Sequence, residues 1–300
     1  MKKPVNIAEH KSMGDLTWFR SGGSARYYLA PSSDDELIEA TKWAFEQRLP
    51  LHLLGLGANS LFPDEEYPGL ILHMTRFRQT GEHYRSHSSD VVEVDAGVNL
   101  ENLVKKLNSH GLGGFEKFVG IPGTVGGSVW GNAGAQNSCL GDRVDSLRIL
   151  DSNGEANWIS GDRIPWKYRS SGLGKRIILG ARFFVEPDRD PVELQNLSDD
   201  FLKYKKSVQP YDEKSTGCIF KNPAEGPSAG KLIDELQLKG LREGGAQVSS
   251  LHGNFIVNSD QTATTSDVLT LVDRVRKKVY EEQGVQLERE VIVVGEANYE

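Results

Sequence analysis

The chain has 300 residues, 38% of them hydrophobic and 26% charged, with a formal charge of −7. That length allows two or three domains with real cores, and the acidic balance argues against general nucleic-acid binding, which needs a basic surface. No apolar run is long enough to span a bilayer, no apolar core follows the N-terminal lysines, and Cys139 and Cys218 have neither disulfide-framework nor metal-ligand spacing. The expectation is therefore a cytoplasmic globular protein without signal peptide, membrane insertion or metal.

In chain order, Thr17–Ala30 reads as a Gly-Gly turn running into a strand. Ser33-Asp-Asp-Glu36 has the form of a capping box and opens a helix with Leu37, Ala40, Thr41, Ala44 and Phe45 on one face. Pro50–Leu54 is a short buried strand ending in Gly55-Leu-Gly-Ala-Asn-Ser60. Those residues come close to a dinucleotide fingerprint, but the third glycine is missing. A turn at Pro63-Asp64 follows where the helix should start, so the fingerprint fails its own context. We read Gly55, Gly57, Ala58, Asn59 and Ser60 as a phosphate loop of another kind.

Leu70–Met74 and Val91–Asp95 are expected strands, separated by a polar, loop-like Gly81–Asp90. Asn99 caps a helix whose apolar face is Leu100, Leu103, Val104 and Leu107. The stretch Gly120–Ala135 then places six glycines among sixteen residues, interleaved with Ile121, Val125, Val129 and Trp130. Glycines so spaced allow positive φ and close approach of a ligand to the amides. A tight structural turn is the competing reading. Ser146–Asp151 and Arg176–Glu186 are further strands, and no regular βαβ repeat is expected in this half. Beyond Pro187, a polar helix (Val192–Lys206) precedes Gly217-Cys-Ile-Phe-Lys-Asn-Pro223, and a Ser228-capped helix follows. Strands at Asn254–Asn258 and Val291–Gly295 flank a helix with Val268, Leu271, Val272, Val275 and Val279 in one stripe. This makes a compact α+β unit. The expected division is 1–75, 76–190 and 191–300.

Among residues with chemistry to offer, Arg169 in the Tyr168-Arg-Ser-Ser171 loop can clamp a carboxylate, or simply lie at the surface. Cys218 is either a small buried hydrophobe or a reagent. Glu290, just before an apolar strand, is either a site group or a solvated carboxylate, and shares a face with Glu288 if the strand extends that far. Lys205, Lys206, Lys221 and Asn222 are candidate ligand contacts; the histidines, His252 included, show no metal spacing.

Four blocks in order carry a resemblance: Gly55–Ser60, Gly120–Gly127 with Asn132–Ala135, Tyr168–Ser171, and Gly217–Pro223. Phe19–Gly23, Ala229–Ile233, Gly244–Ala246, His252–Asn258 and Leu287–Val291 support it. Together they resemble the UDP-N-acetylenolpyruvoylglucosamine reductase family, in its shorter subtype, over about residues 15–295. The resemblance implies an α+β fold, with a two-subdomain FAD-binding region of the vanillyl-alcohol-oxidase/PCMH type and a C-terminal α+β lobe for a UDP-sugar.

It implies bound FAD, NADPH as reductant, and a monomer acting on small molecules. The flavin contacts it implies are Gly55, Gly57, Ala58, Asn59, Ser60, Gly120, Pro122, Gly123, Thr124, Gly126, Gly127, Asn132 and Gly134. Tyr168, Lys206, Lys221 and Asn222 would meet the substrate, and Arg169, Cys218 and Glu290 would be catalytic. Two positions depart from the family pattern. Cys218 stands where the proton-donating serine is usual, and a nearby lysine is expected to lower its pKa, at the cost of exposure to oxidation. Arg289 stands where proline is usual, which is expected to loosen the start of the strand. The spacing from Arg169 to Cys218 leaves no room for the long tyrosine-bearing insertion of the larger subtype. Another flavin-dependent oxidase of the same fold, or an inactive flavin-binding module, remains the alternative reading.

Overall fold

A computed structural model describes residues 2–77, 84–151 and 154–296. In the first part, β1 (Ala8–Ser12) runs antiparallel to β2 (Ser24–Leu29). Ser33 caps α1 (Asp34–Glu46) by accepting from Glu36 N, but the box closes one residue early, because the Glu36 carboxylate takes the Ser32 N–H and hydroxyl. Then come β3 (Leu51–Leu54), β4 (Ser60–Leu61) and β5 (Tyr67–His73). The sheet order is β1-β2-β5-β3, and β5 is parallel to both β2 and β3. A parallel arrangement requires a crossover, which α1 supplies. It is a single crossover rather than a regular βαβ repeat. A correction falls on α1: Phe45 is 83% exposed, and Trp43, three residues after Ala40, turns inward and meets Tyr27 edge-on at 5.0 Å.

The second part holds β6 (Arg85–Ser86), β7 (Val91–Asp95), α2 (Leu100–Ser109), α3 (Val125–Trp130), β8 (Gly134–Ala135) and β9 (Ser138–Cys139). It closes with β10 (Val144–Leu150), β11 (Ala156–Ser160) and β12 (Ile177–Phe184). An antiparallel sheet in the order β11-β10-β12-β7-β6 is its frame. β6 therefore lies within the segment expected to be loop, of which residues 81–83 fall outside the described residues. Asn99 caps α2 by accepting from Asn102 N, and the apolar face named above is wholly buried.

α4 (Pro191–Val208) starts at the Asp190 cap, with Pro191 in its first turn where a missing N–H costs nothing. It lies on α2, tied by Asn108 Nδ2 donating to Ser198 Oγ at 2.8 Å. The remaining elements are β13 (Ser215–Cys218), α5 (Ala229–Glu235), β14 (Arg242–Glu243), β15 (Ala246–Val248), β16 (Phe255–Val257), α6 (Thr265–Gln283) and β17 (Ile292–Val293). The sheet order here is β13-β16-β15-β14, with the α6 stripe Val268, Leu271, Val272, Val275 and Val279 buried in this core.

One apolar core joins the first two sheets, from Leu37 and Trp43 through Val94 and Leu103 to Phe183. A second fills the C-terminal part, and it includes Phe19 and Leu61 from far earlier in the chain. The two regions are also sewn together by polar contacts. β17 pairs in parallel with β4, Asn258 Nδ2 donates to Phe19 O at 2.9 Å, and the Asp64 carboxylate accepts from the Thr265 and Ser266 amides at the start of α6. Long-range ties of this kind hold the glycine loop after β3 against the C-terminal segment. Among the described residues, no helix is long and apolar enough to cross a membrane.

Candidate active site

The first glycine loop occupies the bend between β3 and β4. Gly57 has φ +65°, and a Cβ there would sit 2.4 Å from Leu16 O, so only glycine fits. Asn59 is spent on structure: its Nδ2 donates to Glu290 O at 3.2 Å and its own carbonyl accepts from Ile292 N at 3.0 Å. Ser60 opens the ladder to β17. A Cβ on Gly55 would stand 2.7 Å from Thr124 Oγ1, and the nearest atom to a Cβ on Gly217 is Ala58 O at 3.7 Å. This loop therefore lies between the second glycine stretch and the Cys218 segment.

In the second stretch, the glycines divide by purpose. Gly126 donates its amide to Ala96 O and would clash with Ala96 Cβ if substituted, while the Gly127 amide is capped by Thr124 Oγ1 at 3.3 Å. Those two amides are consumed by folding. Gly120 has φ +70°, and the amides of Gly120, Gly123 and Thr124 meet no acceptor among the described residues. Pro122, between them, has no N–H to offer. Asn132 does not present a free side chain, since its Nδ2 donates to Lys167 O at 3.0 Å and its Oδ1 accepts from Gly141 N at 2.9 Å. It fastens the glycine stretch to the loop that bears Arg169. Gly134 O, in turn, accepts from Arg169 Nη1 at 3.4 Å.

Arg169 stands in a tight turn closed by Lys167 and Ser170, at φ +57°, a conformation that costs a non-glycine residue energy and tends to persist where the surroundings enforce it. Its guanidinium lies 5.2 Å from the centre of the half-exposed Tyr168 ring. Arg169 Nε is 3.0 Å from Glu290 Oε1, yet the buried N–H is not aimed at an acceptor, so the contact is an ion pair without a directed hydrogen bond. Burial pushes the Glu290 carboxyl above its ordinary value, against the opposing pull of Arg169 and Lys221.

Glu288 is exposed and pairs with Lys221 Nζ at 2.5 Å, the same lysine whose charge acts on Glu290. Glu290 and Cys218 share one support. Glu290 N donates to Ile219 O at 2.7 Å, and the side-chain amide of Asn254 grips Phe220 at both its N–H and its C=O, 2.9 and 2.8 Å. Asn254 was not singled out from the sequence, although it lies in the His252–Asn258 block. His252 itself accepts from Asn254 N and meets Phe255 edge-on, a structural role.

Cys218 closes β13, partly exposed as a residue but with its thiol in a desolvated setting. Desolvation, then the Glu290 charge, pushes its pKa up to about 12, and Arg169 opposes this only in part. The expected lowering by a lysine is thus overturned, and with it the expected exposure to oxidation, because a thiol held protonated is a poor target. The expectation for Arg289 is also revised. Its guanidinium pairs with Glu296, which fastens the start of the strand. The flanking bonds, Glu290 N to Ile219 O and Lys221 N to Glu288 O, leave the Arg289 N–H out of the ladder, so this position suits proline equally well. Arg169, Cys218 and Glu290 are brought together, with Lys221 beside them. Asn222 Oδ1 accepts from Ala229 N at the head of α5, and Lys206 lies over the Tyr211 ring at 5.1 Å.

Facing glycine loops with open amides, beside a buried thiol and an arginine–glutamate pair, fit a flavoprotein oxidoreductase, and residues 25–160 match the FAD binding domain family. Residues 209–294 match the family described as UDP-N-acetylenolpyruvoylglucosamine reductase, C-terminal domain. The chain is 40% identical to the UDP-N-acetylenolpyruvoylglucosamine reductase of Parasynechococcus marenigrum, covering 94% of both chains. It is 36% identical to that of a Synechocystis species, over 97% of this chain and 91% of the other. The crystal structure of the reductase from Thermus caldophilus superimposes with a TM-score of 0.80 at 34% identity, covering 97% of this chain and 98% of that one. The chain belongs to the UDP-N-acetylenolpyruvoylglucosamine reductase family.

Proposed function

We propose that this chain reduces the enolpyruvyl group of UDP-N-acetylglucosamine-enolpyruvate with electrons from NADPH, through bound FAD, giving the UDP-N-acetylmuramate used in peptidoglycan precursor synthesis. Membership of the reductase family supports the reaction, and one observation in the site supports its residue assignment. The buried Arg169 Nε–H has no acceptor aimed at it, next to a protonated thiol and a carboxyl that burial makes reluctant to ionise. A buried donor not aimed at an acceptor is uncommon, even with the Glu290 carboxylate 3.0 Å away, and leaves room for a ligand oxygen. The substrate's carboxylate is the group of the right charge and shape.

FAD fits the residues present. The open amides of Gly120, Gly123 and Thr124 are donors for its diphosphate, and Gly55 and Gly57 keep the facing loop free of side chains. Ala58, Asn59 and Ser60 continue that wall, with Pro122 in the opposite one. Gly126, Gly127, Asn132 and Gly134 contribute by holding the loop's shape. FAD, when bound and reduced, supplies hydride to the vinyl carbon.

The remaining steps belong to this chain's side chains. Arg169 holds the substrate carboxylate, where negative charge gathers as the hydride arrives. Glu290, paired with Arg169 and with its carboxyl pushed above its ordinary value by burial, is the acid placed beside the same group. Cys218 Sγ delivers the proton to the adjacent carbon. Tyr168 borders Arg169, Lys221 contributes positive charge to the site, and Asn222 shapes its floor; Lys206 is the more distant contact for the nucleotide.

On this reading residues 1–75 and 76–190 are the two flavin subdomains. The packing of α4 on α2 and the family match beginning at 209 favour starting the substrate lobe after residue 208 rather than at 191. We further propose that the protein is a cytoplasmic monomer. The test is anaerobic: NADPH bleaches the flavin band, and the UDP-enolpyruvyl sugar then restores it with formation of the muramate. A reduced flavin that the sugar nucleotide does not reoxidise refutes the reading.

A further inference from the structure

Lys205 is one of two adjacent lysines near the end of α4, and the two have opposite fates. Lys206 lies outside, over Tyr211, whereas Lys205 is 7% exposed, beneath the second glycine stretch. Its Nζ donates to Lys117 O at 3.2 Å and also to Val119 O. No carboxylate pairs with it among the described ion pairs. Glu101, the acid whose field reaches it, holds Lys105 at 2.6 Å and is also engaged by Tyr211. A buried ammonium without a counter-ion is unusual, because desolvation penalises the charge. Here burial lowers the amine to about 8, which still leaves it mostly protonated at neutral pH.

The position of this charge gives it a use. Val119 C=O and Gly120 N–H belong to one peptide unit, so a cation on the oxygen polarises the unit and makes the N–H a stronger donor. That N–H is one of the three in the loop without an acceptor among the described residues. The same helix also seats the glycine: a Cβ on Gly120 would lie 2.8 Å from Leu202 Cδ1, and its left-handed φ of +70° turns the chain at this point.

We propose that Lys205 is a positioning residue for the flavin cofactor, fixing the chain at Lys117–Gly120 and arming the Gly120 amide for an anionic oxygen of the FAD diphosphate. The cofactor's two negative charges then supply the counter-ion that the folded chain lacks. Lys205 does this from below, through the peptide, without touching the cofactor. The proposal rests on the FAD reading given above.

The test uses the full chain stripped of flavin and titrated with FAD and, separately, with riboflavin, which has no phosphate. Intrinsic fluorescence quenching reads the affinity, and the melting temperature of the flavin-free protein is recorded alongside. Lys205→Met removes the charge and keeps the length. It should bind FAD roughly 10- to 100-fold more weakly, the range of a hydrogen bond to a charged group, with riboflavin affinity and flavin-free melting temperature held or raised. Lys205→Arg, which keeps charge and donors, should retain affinity within about fivefold of wild type. FAD binding by Lys205→Met within about twofold of wild type overturns the proposal. So does an equal loss for FAD and riboflavin with a lower melting temperature, since that is the mark of a merely structural lysine. If the wild-type protein takes up no FAD, the functional reading itself fails, a result visible without any variant.

Discussion

Cys218 offers the most discriminating perturbation. Burial and the neighbouring Glu290 carboxylate raise its pKa from 9.0 to about 12. That change reduces the thiolate fraction roughly a thousandfold, and at pH 8 only about one thiol in ten thousand is ionised. The group is therefore unsuited to nucleophilic attack but always carries the proton that the carbanionic carbon requires. Removing a general acid in such a position slows its step by about 10²- to 10⁴-fold.

Cys218→Ala should show that loss in one half-reaction only. In anaerobic stopped flow, NADPH should bleach the flavin at close to the wild-type rate, and reoxidation by the UDP-enolpyruvyl sugar should then stall. Cys218→Ser, which restores a hydroxyl donor, should keep reoxidation within about tenfold of wild type. Alkylation gives an independent check on the magnitude: iodoacetamide at pH 8 should modify Cys218 roughly a thousandfold more slowly than a free thiol. An alanine variant that reoxidises as fast as wild type, or a Cys218 labelled at the free-thiol rate, would refute the assignment.

Other perturbations separate site from scaffold. Arg169→Ala and Glu290→Gln should each slow the oxidative half-reaction by about 10²-fold or more while flavin reduction stays near normal; equal losses in both halves would indicate a folding defect instead. Arg289→Pro forfeits a partly exposed ion pair with Glu296, worth at most about 1 kcal/mol, and sacrifices no ladder bond, so its Tm should move by no more than about 3 °C. A much larger drop would mean that the Arg289 N–H is in use after all.

His52, partly buried on β3 with its Nε2 covered, has its pKa lowered by desolvation from 6.5 to about 4. The unfolded chain therefore takes up this proton at higher pH than the folded one. Its contribution to stability is present above pH 6.5 and fades as the pH falls toward 4, by on the order of 3 kcal/mol. Denaturant titrations at pH 7 and pH 4.5 should show that slope flattened in His52→Phe, and an unchanged slope would clear His52 of the effect.

What the sequence made legible was local. Ser33, Asn99 and Ser228 each accept the capping bond their position implied, because capping depends only on residues three apart. The α6 stripe is buried along its whole length for the same reason. What stayed hidden depends on distant partners. The parallel pairing of β2, β5 and β3 leaves no periodic signal in strands this short, and nothing near Gly55–Ser60 announces a partner strand at Ile292–Val293.

The site divides along the same line. The three residues proposed as catalytic were found through motif order and do converge, but the sign of the Cys218 shift could not be read from neighbours in sequence. It is set by burial and by Glu290, which is distant in sequence but is brought alongside by the pairing of Arg289 with Phe220. Composition gave the second stretch its glycines without saying which amides folding would consume. Gly126 and Gly127 are spent on Ala96 and Thr124, while Gly120 is left open.

The strand pairing beside the first glycine loop bears on how the protein is made. Asn59 binds Glu290 O across 231 positions, and Ser60 and Leu61 lie against Ile292 and Val293. Synthesis proceeds from the N-terminus, so both glycine loops leave the ribosome long before the segment that braces the first of them. A nascent chain stopped before residue 290 has the flavin loops and no brace. Stable capture of the cofactor is therefore expected to wait for residues 290–293, and a product truncated before them to be a colourless chain rather than a flavin-loaded one with half a site.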